Sequence, residues 1–316
     1  MQGRYRNQLP QLADRLFVTD GGLETTLVFH EGVDLPHFAA FDLFARAEGE
    51  AILDRYFARY AQLARANDVG LVLESATWRA NPDWGARLGY DADGLANVQR
   101  RAIAQLAKVR AQYETPRSPI VISGNLGPRG DGYRADARMS ASQAQAYHGP
   151  QVAAFADTEA DMVAAFTMTY ADEAIGIVRA ARANAIPVAI SFTVETDGRL
   201  PSGEALADAI MRTEAETDAC PAYYMINCAH PSHFAPVLES GGGWRERLRG
   251  VRANASGRSH AELDASDTLD SGDPEALGRD YRALRSLLPA LTILGGCCGT
   301  DHRHIEAMCR ATLVPA

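Results

Sequence analysis

The stretch LTILGGCC, residues 291–298, opens as a short apolar run and closes on two glycines and two thiols. Apolar side chains in succession, without polar alternation, suit a parallel strand buried on both faces. The same pattern recurs upstream in LFVTD (16–20), VGLVLES (69–75), PIVISGN (119–125), DMVAAFT (161–167), PVAISFT (187–193), YYMINC (223–228) and GVRANAS (250–256). Between these runs the apolar period lengthens to that of a helix. Residues 48–66 place Leu53, Tyr56, Phe57, Tyr60 and Leu63 on one face, and residues 94–112 do so with Leu95, Val98, Ile103, Leu106 and Val109. Residues 172–184 and 203–215 read as further amphipathic helices. Asp273-Pro274-Glu275 reads as an N-cap, a first-turn proline and an acidic first turn, predicting a helix to about Leu288. Eight strands alternating with helices predict an α/β chain forming a single (β/α)8 TIM barrel, one domain over residues 1–316. Residues 21–47, 126–150 and 256–272 read as long loops. A doubly wound open sheet is the alternative.

Composition narrows the function. Apolar residues make up 47% of the 316 and charged residues 22%, enough core material for a globular chain. Lysine and arginine total 31 against 40 aspartates and glutamates, a net charge of −9, which argues against general binding to nucleic acid or anionic membrane. No apolar run approaches the roughly 20 residues of a membrane span. The opening MQGRYRNQLPQLADRLF has no apolar core and no small-residue cleavage site, so a cytoplasmic location is expected.

Barrel chemistry sits at the C-terminal ends of strands. Those ends carry Asp20-Gly21-Gly22, Glu74-Ser75, Asn125, Thr167, Glu195, Asn227-Cys228, Asn254 and Gly295-Gly296-Cys297-Cys298-Gly299. All five cysteines, at 220, 228, 297, 298 and 309, fall in the last third, in a pattern unlike a secreted disulfide framework. Cys228, Cys297 and Cys298 share one face of the expected barrel. Three thiolates at one point form a soft site suited to zinc, and three protein ligands leave the fourth position of a catalytic site. The flanking glycines allow unusual dihedrals and close approach. Cys220 and Cys309 read as packing. His230 and His233 read as loop histidines rather than a rival metal cluster. His302 and His304 read as capping or solvent-facing residues of the last helix.

These residues resemble a known family. LGGCCGTDHRHIEAM (294–308) is similar to the Gly-Gly-Cys-Cys-Gly-Thr signature of the zinc-dependent homocysteine S-methyltransferases, the group that includes betaine–homocysteine methyltransferase and the homocysteine domain of methionine synthase. MINCAHPSHF (225–234), TDGGLETTL (19–27), SGNLGPRGDGY (123–133) and PVAISFTVETDGRLPSGEALADAI (187–210) resemble its other segments, so the likeness runs nearly the length of the chain. The resemblance implies transfer of a methyl group from a small S-methylmethionine-like or betaine-like donor to the thiol of homocysteine, giving methionine. It assigns Cys228, Cys297 and Cys298 as Zn2+ ligands. Among the strand-end residues, Asp20, Glu74 and Asn227 are the candidate catalytic residues, and Gly21, Gly22 and Glu195 the candidate substrate-binding residues. The Gly21-Gly22 backbone is a candidate carboxylate site. Trp78, Tyr133 and Tyr147 are candidates to face a cationic donor.

One departure stands out. The family's glutamate at the end of strand four, which binds the amino group of homocysteine, is replaced here by Phe166, with Thr167 after it. Asp20, Glu74 or Glu195 is then expected to take the ammonium, or the acceptor is a different thiol. Two further readings stay open: a lyase-type barrel using Asp20, Glu74 and Glu195 with structural cysteines, and a zinc- or thiol-binding barrel without turnover. The polar 256–272 segment is expected to order on substrate or on a second subunit, which leaves a homo-oligomer open.

Overall fold

The computed structural model describes residues 3–136, 138–266 and 268–313. Eight parallel strands close into a barrel in chain order: β1 Phe17–Val18, β2 Gly70–Glu74, β3 Ile120–Leu126, β4 Met162–Met168, β5 Val188–Phe192, β6 Tyr223–Asn227, β7 Leu248–Ala253 and β8 Ile293–Gly296. β1 pairs with β8 through Phe17 opposite Ile293, which closes the ring and excludes the open sheet. Each strand is followed by a principal helix: α1 Gly49–Ala66, α2 Ala92–Tyr113, α3 Ala141–Ala156, α4 Ala171–Ala183, α5 Leu206–Glu216, α6 Pro231–Glu239, α7 Pro274–Leu287 and α8 His302–Leu313.

The alternation of side chains along each strand divides the core in two. One set, including Phe17, Val72, Val121, Met162, Ala164, Phe166, Tyr223, Met225 and Ile293, fills the barrel interior. The larger set, including Leu71, Leu73, Ile120, Ile122, Ile190 and Leu294, packs outward against the helices. At about 25 cal/mol per Å2 of apolar surface, this two-sided burial is the main stabilising contribution. The N-terminal segment ties across to the sequence before β4: Tyr5 N donates to Asp161 Oδ1 at 2.7 Å, and Arg110 Nη1 meets Asp161 Oδ2 at 2.8 Å.

The three expected loops contain more structure than their polarity suggests. The 126–150 segment ends in α3, because Ser140 and Gln143 form a reciprocal capping box and start the helix at Ala141. Pro150 is accommodated inside that helix. The 21–47 segment winds through short helical turns at Leu23–Thr25, Thr26–His30, Pro36–Phe38 and Ala40–Ala45. The 256–272 segment holds a turn of helix at His260–Asp264, again under a capping box, from Ser259 and Glu262. Ala137 and Asp267 of these segments lie outside the described residues, as do residues 1–2 and 314–316. Asp273 caps α7 as expected, accepting from Glu275 N at 2.9 Å. Among the described residues, no helix is long and apolar enough to cross a membrane.

Candidate active site

Two strand ends bring the cysteines together. Cys228 follows β6 with φ +53°, a left-handed conformation costing a non-glycine residue about 1–3 kcal/mol. Its N–H donates to the Arg252 carbonyl at 3.1 Å. Cys297 and Cys298 follow β8 and are stitched to the end of β7: Cys297 N donates to Ala253 O at 2.8 Å, and Ala255 N to Cys298 O at 3.0 Å. Gly299, at φ +80°, turns the chain back. Of the two roles expected of them, Gly295 and Gly296 fill one, since neither has a positive φ. Both lie at the β8 end, and an added Cβ would overlap the side chains of Thr19 and Thr300, so they serve close approach.

The three sulfurs lie within 4.8 Å of one another, and the structure joins Cys228 to Cys297 as a disulfide with a Cα–Cα distance of 5.4 Å. The group fits a thiophilic metal on the chemistry of its donors. Zinc–thiolate bonds of about 2.3 Å require sulfurs roughly 3.8 Å apart, so these three sulfurs are gathered at nearly ligand spacing once the pair is reduced. Among the described residues, no other group of three or more such ligands converges. His230 caps α6, accepting from Ser232 N at 3.3 Å, and His233 Nε2 contacts Gly257 O at 3.0 Å, so neither belongs to the cluster. His304, expected to cap the last helix or face solvent, is buried: its Nδ1 accepts from Asp301 N at 3.1 Å, and its Nε2 lies 2.8 Å from the Ser271 carbonyl. Cys309 is core, and Cys220 packs against it.

The cluster opens on a cavity of about 380 Å3 at the strand C-terminal ends. Its floor is ionic. Asp20 Oδ1 meets Arg252 Nη2 at 2.7 Å, and Asp20 Oδ2 accepts from Tyr56 OH at 2.9 Å. Burial pushes the Asp20 carboxyl up, and Arg252 and Tyr56 pull it back. Arg252 also donates through Nε to Gly296 O (3.1 Å) and through Nη2 to Gly21 O (3.2 Å), and its guanidinium lies 5.0 Å from the Phe166 ring centroid. Burial pushes Glu74 up to about 7, partly offset by Arg252. Glu24, on the turn after Gly22, is also raised to about 7, chiefly by burial.

Other expected residues serve the site indirectly. Asn227 lines the cavity, but its amide is engaged on three sides. Oδ1 accepts from Thr167 N (2.9 Å) and Ser191 Oγ (2.7 Å), and Nδ2 donates to Thr167 Oγ1 (2.9 Å). It therefore braces Thr167, whose φ is +63°. Gly22 N donates to Thr300 O at 3.0 Å, which removes it as a free carboxylate donor; an added Cβ there would meet Cys297 O at 2.6 Å. Gly21 lines the cavity. Glu195 does not line it: its carboxylate turns to His260 Nδ1 at 3.3 Å, because that buried histidine contacts Cys228 O through Nε2 at 2.5 Å. Tyr133 stacks on His260 with ring centroids 4.1 Å apart, and its OH lies 3.3 Å from Cys298 Sγ. Trp78 lines the cavity, whereas Tyr147 lies on α3 and donates to Asn81 Oδ1 at 2.9 Å. Sequence reasoning passed over Arg252, His260 and Glu24. The signal for Arg252 was a charged residue inside a strand buried on both faces.

A (β/α)8 barrel with three thiols converging at its catalytic face defines a class of thiol-centred barrel enzymes. The homocysteine S-methyltransferase family model matches residues 17–312. A homocysteine S-methyltransferase of Escherichia coli (strain K12) is 32% identical over 251 residues, covering 74% of this chain and 77% of that protein. The chain belongs to the homocysteine S-methyltransferase family and is a methyltransferase. Among solved structures, the oxidized form of the homocysteine methyltransferase MmuM from Escherichia coli superposes with a TM-score of 0.75 at 21% identity, covering 94% of this chain and 95% of that one. Its metallated form gives 0.73 at 22% identity, covering 94% and 96%. At these identities the two structures establish the barrel fold.

Proposed function

We propose that this protein transfers a methyl group from a small cationic donor, S-methylmethionine-like or betaine-like, to the thiol of homocysteine, giving methionine, with Cys228, Cys297 and Cys298 holding Zn2+. The observation that carries the reading is the convergence of three cysteine sulfurs at the mouth of a family barrel. When bound, zinc supplies Lewis acidity that favours the deprotonated form of an acceptor thiol near neutral pH. The chain's own residues do the rest. His260 and Tyr133 hold the cysteine loops from outside the cluster. Trp78, Phe29 and Phe38 give the cavity aromatic surface, and Asp131 and Asp264 give it negative charge, which together suit a sulfonium or quaternary ammonium group. Holding the acceptor sulfur and the donor methyl in line supplies the proximity on which displacement depends. The sulfur lone pair forms the new S–C bond, the donor's bond to its methyl breaks, and the donor leaves with that electron pair as a neutral thioether or amine.

Cys297→Ser tests the assignment. Zinc content and turnover are expected to fall together, by metal analysis and methionine assay on one sample. Full activity in a metal-poor variant would return the carboxylates Asp20 and Glu74 to consideration as the catalytic centre.

A further inference from the structure

With Phe166 at the end of β4, an acceptor carrying an α-ammonium group needs a different carboxylate. Asp20 is occupied by Arg252 and Tyr56. Glu195 faces His260 and is absent from the cavity wall. Glu74 also lines the cavity, but at its deep end, 4% exposed and close enough to act electrostatically on Tyr223 in the interior layer. Glu24 differs from all three. It is half-buried on the cavity wall, and its carboxylate has no side-chain partner among the described residues. It lies within electrostatic reach of two cavity-lining cations, Arg79 and then Arg252, and of Cys298. Arg252 complements it. It is 7% exposed and lines the same cavity, with Nε and Nη2 occupied and Nη1 without a partner among the described residues.

We propose that Glu24 and Arg252 form a two-point clamp for the zwitterionic head of the acceptor, Glu24 taking the ammonium and Arg252 Nη1 the carboxylate, with the sulfur directed at the three cysteines. The clamp rests on the methyl-transfer reading and narrows it to thiols that are also α-amino acids. An unsatisfied N–H on a guanidinium that is otherwise engaged favours a carboxylate at that position, because leaving the donor without a partner in a buried site is costly. Glu24, on the wall of the same cavity and without a hydrogen-bonded side-chain partner among the described residues, offers the ammonium its counter-charge.

Calorimetric titration of the full, reduced, zinc-loaded chain tests the clamp with three thiols: homocysteine, 4-mercaptobutanoate (no amine) and 3-aminopropane-1-thiol (no carboxylate). Glu24→Gln is expected to weaken homocysteine about tenfold to a hundredfold while leaving 4-mercaptobutanoate within about twofold. Arg252→Lys keeps a cation beside Asp20 but loses the fork. It is expected to weaken homocysteine and 4-mercaptobutanoate at least about tenfold and to leave 3-aminopropane-1-thiol within about twofold. Glu24→Gln that weakens both carboxylate thiols alike, or neither, overturns the clamp even if methyl transfer proceeds. Amine-selective binding that depends on Glu24, without turnover, upholds the clamp and overturns the methyl-transfer reading. Failure of the zinc-loaded wild type to bind any of the three thiols overturns both.

Discussion

Arg252 organises the floor of the site. A guanidinium placed inside a barrel needs partners, and it takes Asp20 together with the carbonyls of Gly21 and Gly296, linking the ends of β1, β7 and β8. Glu74 sits in its field without a hydrogen-bond partner for Oε2. Its folded pKa near 7 is above the usual carboxylate range, so between roughly pH 4.5 and 7 the folded state holds a proton that the unfolded state has lost. Stability contributed through this group is therefore greatest below that window and falls as pH rises through it. Glu74→Gln is expected to raise the Tm relative to wild type at pH 8, with a gain of about 1–3 kcal/mol, and to leave it nearly unchanged at pH 5. Thermal melts at the two pH values decide it; an equal effect at both would assign the change to packing. Individual residues were unevenly legible. Cys297 and Cys298 stood out because adjacent thiols between glycines have few structural uses. Glu195 was misread because the histidine that engages it lies 65 residues away, beyond any sequence pattern.

Among the elements, the turn after β1 and the turn after β8 are built against each other. Gly22 N donates to the Thr300 carbonyl, Gly296 N donates to the Asp20 carbonyl, and Thr300 N closes on Cys297 O. Because a Cβ on Gly22 would press on the Cys297 carbonyl, Gly22→Ala is expected to move the Cys297 loop, cost about 1–3 kcal/mol and lower zinc occupancy. Gly149→Ala in α3, where an added Cβ meets nothing within 4 Å, is the control and is expected to be neutral or slightly stabilising. Zinc analysis and melting of both variants check the pair; normal zinc in Gly22→Ala would show that the loop tolerates the shift. Strand positions were readable because two-sided burial leaves continuous apolar runs. The start of α3 fell inside the 126–150 segment read as a loop, although Ser140 and Gln143 supply a local start signal there.

For the whole molecule, the barrel was legible from its eightfold alternation, and ring closure follows from β1 pairing with β8. The cavity's charge pattern was not, since it depends on which strand residues turn inward and which loops fold over them. On the zinc reading, metal binding and stability are coupled. A Cys228–Cys297 disulfide occupies two of the three donors, so zinc and the oxidised pair exclude each other. Excess zinc at about a thousand times its Kd should stabilise the reduced protein by about 4 kcal/mol. The expected result is a rise of several degrees in Tm that appears only after reduction; an equal rise in oxidised protein would place the metal elsewhere.

The most direct measurement is methionine formation from homocysteine by the reduced protein, with S-methylmethionine, betaine and S-adenosylmethionine offered in parallel and zinc quantified on the same samples. Methionine from one of the two cationic small donors, S-methylmethionine or betaine, rising in proportion to bound zinc and lost on chelation, is the expected result. Undiminished methionine formation after zinc is stripped, or none from any donor by fully loaded protein, would contradict it.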